Sequence, residues 1–152
     1  MHETIEATMT RDLVIDRMVV TLTRWPLRMK RRHGVGDVER SMPGVILELR
    51  TRGGLVGWGE AAPWSVFSGT AEANAAALDV YLRPLTLGRP ASAVQSILDE
   101  ADHAVVGHAE AKAALEMALD DIRGKALGVP VAELHGGIVR RDIPLSVSVA
   151  NP

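Results

Sequence analysis

GVILELRTRGGLVGWGEAAPW, residues 44–64, is the stretch whose reading decides the fold of this chain. Val45, Leu47 and Leu49 fall on one face of an extended segment and Ile46 and Glu48 on the other, the period-two pattern of a half-buried strand. Arg52-Gly53-Gly54 lets the backbone reverse through positive φ, so the stretch reads as a β-hairpin. In the returning arm Leu55, Val56 and Trp58 alternate with Gly57 and Gly59; a strand face without side chains admits backbone or ligand at close range. Pro63 cannot donate to a ladder and ends the strand.

Working back from the hairpin, LVIDRMVVTL (residues 13–22) is rich in β-branched side chains and predicts a first strand. Residues 1–12 read as a polar, flexible leader. Between strand and hairpin, the 24–42 connection shows no periodicity and concentrates Arg24, Arg28, Lys30, Arg31, Arg32 and His33. Loops of that length inside compact domains are functional or disordered.

Working forward, Thr70 predicts a helix N-cap with Glu72 in the first turn. The helix should run to about Leu82 and stop at Pro84. A second helix should open after Pro90, with Val94, Ile97, Leu98 and Ala101 inward, and break at Gly107. The third, Ala109 to Leu127, has Leu115, Ala118, Leu119, Ile122 and Ala126 as its apolar stripe and Glu110, Lys112, Glu116, Asp120 and Arg123 largely off it. Asp121 and Lys125 form a favourably ordered i,i+4 pair, and Gly124 marks a close crossing. Gly128 and Pro130 close the helix, VAELHGG (residues 131–137) reads as a helical turn, and IPLSVSV (residues 143–149) as a final strand.

Composition excludes several classes. A mildly acidic chain (net charge −2) has no bulk attraction for nucleic acid or anionic membrane, and aromatic residues at 3% offer no stacking platform. No run of about 18 apolar residues crosses a bilayer. The absence of cysteine removes disulfides and thiolate metal sites and fits a cytoplasmic location.

The pattern T-x-G-G-x-x-G-W-G-E-A-x-P (51–63), with AEAKAALEMALDDIRGKALGVPV (109–131) and ELHGG (133–137), resembles the amino-terminal capping domain of the mandelate racemase and muconate lactonizing enzymes, a branch of the enolase superfamily. The resemblance implies an α+β fold: a three-stranded antiparallel sheet packed on a helical bundle, forming the lid over a (β/α)8 barrel. Residues 13–137 would be the capping domain, and 138–152 a linker and the first barrel strand, the rest of the barrel being absent.

The family reaction removes the proton α to a carboxylate, with a divalent metal, usually magnesium, over the developing charge. The resemblance places the lysine pair and the metal carboxylates on later barrel strands, and this sequence has no K-x-K. Neighbouring Asp120 and Asp121 diverge by about 100° on a helix and do not make a metal pair. No catalytic or metal-ligating residue is therefore assigned, magnesium is implied only for the full-length enzyme, and the chain alone is expected to be inactive. It would meet a carboxylate-bearing small molecule only together with the barrel, as a homo-oligomer.

In such enzymes two capping loops shape substrate choice; here they are the 24–42 connection and the 62–69 segment. The substrate-binding candidates are Arg31 and His33 in the first, Trp64 and Phe67 in the second, and Ser148 on the final strand. Each has a plainer reading: a solvated basic loop for the former pair, hydrophobic packing for the latter, and a barrel-interior position without contact for Ser148. Glu60 reads as a structural hydrogen-bonding group or a substrate contact, and His103, His108 and His135 as structural or exposed. The alternative to a lid is a stand-alone binding or assembly module derived from a truncated enzyme.

Overall fold

The computed structural model describes residues 13–34, 36–38 and 40–146, with the backbone alone at 31–33, 37 and 38. The expected leader and the end of the expected final strand, Ser148 included, lie outside the described residues. Strand β1 (Ile15–Pro26) pairs antiparallel with β4 (Ser41–Thr51), and β4 with β5 (Val56–Ala61), in the spatial order β1-β4-β5. The first strand runs four residues past its expected end. The 24–42 connection is partly regular: β2 (Arg31–His33) and β3 (Gly36–Val38) form a two-stranded ribbon beyond the sheet. Its short arms offer too few alternations to register as a period in the sequence.

Val45, Leu47 and Leu49 are buried, as the alternation requires, together with Ile15 and Met18 of β1. The glycine face of β5 receives a helix. α4 (Ala109–Leu127) lies so close that a Cβ at Gly59 would sit 1.9 Å from the Ala114 carbonyl oxygen, and one at Gly57 2.1 Å from that of Ala118. Alanines on the helix and glycines on the strand thus bring two backbones together. Asp121 and Lys125 pair at 2.7 Å and also cover the outer edge of β5: Asp121 accepts from the Trp58 N–H at 3.0 Å and Lys125 donates to the Val56 carbonyl at 2.7 Å. Side chains that occupy an edge strand's free groups keep other chains from pairing there.

Thr70 caps the first helix as expected, accepting from the Ala73 N–H at 3.2 Å. The helix does not stop before Pro84. α1 (Ala71–Ala76) widens into a π-helical stretch, Ala77–Leu82, and continues as α2 (Arg83–Thr86) with Pro84 in its first turn. A proline in a first turn has no N–H to waste, and the wider π turn precedes its ring. α3 (Val94–Ala104) starts later than expected and buries Val94, Ile97 and Ala101. α4 has the expected bounds, but its stripe needs two corrections. Ala126 is exposed, because the helix outruns the start of β5, and Asp120 is buried. Gly124 is a close crossing, where a Cβ would lie 2.9 Å from the carbonyl oxygen of Val129 in the returning chain. α5 (Val131–Leu134) follows, and residues 138–146 lie in no strand and are largely exposed.

His108 precedes α4 in the left-handed region, φ 52°, and its side chain caps nothing. The cap comes from another helix. Asn74 of α1, fully buried, accepts from the Ala111 N–H at 3.0 Å and donates to the Thr70 carbonyl at 3.0 Å. The core is aliphatic: Ile15, Leu47, Leu49, Leu78, Leu82, Ile97, Leu115, Leu119 and Ile122 are its largest closed side chains. Trp25, Trp58 and Tyr81 are about half open to solvent, and Phe67 more so.

Two substitutions test this packing. Gly59→Ala is expected to destabilise the chain by at least about 3 kcal/mol, because neither backbone can withdraw. Asn74→Ala should cost about 1–3 kcal/mol by leaving a buried N–H without an acceptor. Urea unfolding followed by far-UV circular dichroism measures both.

Candidate functional site

The antiparallel order sends the C-terminal end of β1, the start of β4 and the C-terminal end of β5 to one end of the sheet. The 24–42 and 62–69 segments therefore emerge side by side. They meet: a methyl group at Gly36 would rest 3.7 Å from Cγ1 of Val66. The second segment is a tight turn in which the N–H groups of Phe67 and Ser68 donate to the Trp64 carbonyl at 2.9 and 3.0 Å. That turn sets the Phe67 ring edge-on to Trp64, with centroids 4.9 Å apart and planes at 72°, a favoured aromatic geometry. Trp64 is half-buried and Phe67 is 69% exposed. Trp64 is the anchor and Phe67 the projecting group.

Of the candidates read from the sequence, the structure brings Trp64 and Phe67 together and sets the backbone of Arg31 and His33 in the ribbon beside them. The side chains of Arg31 and His33, and Ser148 altogether, lie outside the described residues. Glu60 stands exposed on the outer face of β5, opposite Ile46 of β4. Three apolar residues missed from the sequence are exposed on the same two segments: Trp25, Met29 and Val66, at 50%, 76% and 47%. Trp25 carried a usable signal, a tryptophan where a strand passes into a loop. Met29 and Val66 carried none, since single apolar residues in loops are common.

α4 runs antiparallel to β5, so its N-terminus points to the same end. Glu110 lies one turn before Ala114, and its Oε2 is buried without a hydrogen-bond partner among the described residues, as is Thr23 Oγ1 on β1. At the opposite end of α4, a cleft of about 260 Å³ is lined by Ser92, Gln95, Glu116, Asp120, Arg123 and His135, with Val94 and Leu134. Its central charges are committed to one another: Asp120 accepts from Arg123 Nη1 at 2.6 Å and meets His135 Nε2 at 2.6 Å. Asp120 and Asp121 thus serve separate structural ties. His135 is structural, and His103 contacts the Asp99 carbonyl of its own helix at 2.7 Å.

The resolved displacement in ionisation among the described residues belongs to Arg50, on the outer face of β4. Its guanidinium is held above the usual range by a hydrogen bond to Glu48 and by that carboxylate's charge. No helix among the described residues is long and apolar enough to cross a membrane.

The profile of the mandelate racemase / muconate lactonizing enzyme N-terminal domain matches residues 15–136, the sheet and every helix just described. The chain belongs to that family, as its N-terminal domain. The chloromuconate cycloisomerase CbnB of Cupriavidus necator is 39% identical over 112 residues, which cover 70% of this chain and 30% of that protein. A muconate cycloisomerase structure from Azorhizobium caulinodans shares 49% identity with a TM-score of 0.77, over 91% of this chain and 35% of that one. The N-succinyl Arg/Lys racemase structure from Bacillus cereus superposes with a TM-score of 0.84 at 30% identity, over 90% of this chain and 38% of that one. This family domain spans about a third of the length of the relatives it matches.

Proposed function

We propose that the domain is a lid that shapes substrate choice in a muconate cycloisomerase-like enzyme of the enolase superfamily. The observation that carries this reading is the meeting of the two loops at one end of the sheet, where Phe67 stands on the Trp64 anchor and Val66, Met29 and Trp25 are exposed on the same two segments. Such apolar groups exclude water from a pocket beneath them and fit the carbon skeleton of a substrate. Basic residues of the first loop suit the substrate's carboxylate, with Arg31 and His33 the assigned contacts.

The relatives are named as cycloisomerases, an epimerase and a racemase. We assign to the parent enzyme the reaction that the family resemblance implies, abstraction of a proton α to a carboxylate. Among the described residues no three His, Asp or Glu side chains are grouped to hold a metal, and Asp120 and Asp121 are engaged elsewhere. The residues here do not fit a magnesium site, and no step is routed through one. The domain's part is to close and select, with proton abstraction assigned to the barrel; alone it is inactive. The cytoplasm is the compartment we assign, on the cysteine-free composition.

Phe67→Ala, made in the chain joined to its barrel, is expected to lower kcat/KM about 10- to 100-fold, or about 1.4–2.8 kcal/mol of transition-state stabilisation. Melting temperature should hold, because the side chain is exposed. Steady-state kinetics across muconate, chlorinated muconate and dipeptide substrates checks this. A change under twofold on every one removes the lid reading.

A further inference from the structure

The domain ends on a tether followed by a diglycine. Asp120 is closed from solvent, with 4% of its side chain exposed, and is held between Arg123 of its own helix and His135 beyond α5. His135 is the last residue before Gly136 and Gly137, both at φ +97°, a conformation in which side chains are strained and glycine is favoured. The last backbone bond described for this region runs from the Gly137 N–H to the Ala132 carbonyl, at 2.8 Å. Beyond it, Val139, Ile143 and Leu145 are 93%, 81% and 95% exposed. Among the described residues the chain passes from a bonded helix end to a solvent-exposed segment within two residues.

We infer that Gly136–Gly137 is a hinge and that the Asp120–His135 bond is the latch that confines bending to it. Breaking the latch releases α5 as well, because Val131–Leu134 has no buried residue of its own. The hinge lies at the end of α4 remote from the two loops. This helix of 19 residues is about 28 Å long, so a rotation of about 10° at the hinge carries the loops through about 5 Å. That displacement suits opening and closing of a lid, and this consequence rests on the proposed function. The latch and hinge do not.

Hydrogen exchange of the 152-residue chain, read by mass spectrometry, tests the latch without reference to catalysis. His135→Ala should fold, since the ring is 55% exposed. Peptides covering 131–137 are expected to exchange at least about tenfold faster, with peptides in 44–61 and 111–122 unchanged. The double variant Asp120→Leu/His135→Leu should restore slow exchange in 131–137, because an apolar contact replaces the buried carboxylate and its hydrogen bond, while Arg123, 31% exposed, turns to solvent. Unchanged exchange in His135→Ala, or acceleration spread across the sheet and α4, overturns the inference. So does a double variant that stays as fast as the single one. A lid that fails the kinetic test while the latch behaves as described leaves the hinge intact and removes only its role in closure.

Discussion

Two backbones in contact hold this domain together. Where Gly57 and Gly59 of β5 meet Ala114 and Ala118 of α4, carbonyl oxygens occupy the space that Cβ atoms would fill. Nothing bulkier than hydrogen is tolerated on the strand. This approach fixes the height of the long helix over the sheet and lets Leu115, Leu119 and Ile122 close the core from the other side. The same height lets Asp121 and Lys125 reach the edge of β5. The packing of α1 and α3 is built onto that pair, and the N-terminus of α4 is set at the end that carries the two loops.

The pattern in the sequence made the hairpin and α4 legible because local rules and tertiary packing agree there. The alternation of 44–51, the Gly-rich turn and the alanine-rich helix all ask for what the fold supplies. Disagreement arose where long-range partners override local preference. Asp120 counts as a polar residue on a helix, and nothing near it reveals that a histidine fifteen residues on would make its burial tolerable. Pro84 counts as a stop, yet a widened turn ahead of it keeps the helix running. His108 gave a truer hint: a poor capping residue at a helix start implies that the cap comes from elsewhere, though not that it is Asn74.

The candidate site was legible in outline. Its two segments were marked by length and composition, and Trp64 and Phe67 by being large and apolar among small neighbours. The exposed apolar residues there were not, because Trp25, Met29 and Val66 share one end of the sheet only once the antiparallel order has brought three strand ends together. Proximity of that kind is a property of topology and has no local signature. For the same reason the basic character of the first loop did not disclose its ribbon.

The distribution of aromatic residues affects how the protein can be observed. With the interior filled by leucine, isoleucine, valine and alanine, two of its three tryptophans are surface chromophores: Trp25 and Trp58 are already half in water in the native state. Their emission will shift little when the core comes apart, and a fluorescence titration will underreport unfolding. Trp64, locked against Phe67, is the fluorophore placed to respond to events at the loop end. The intrinsic optical signal of this protein is therefore an indicator of what touches its loops.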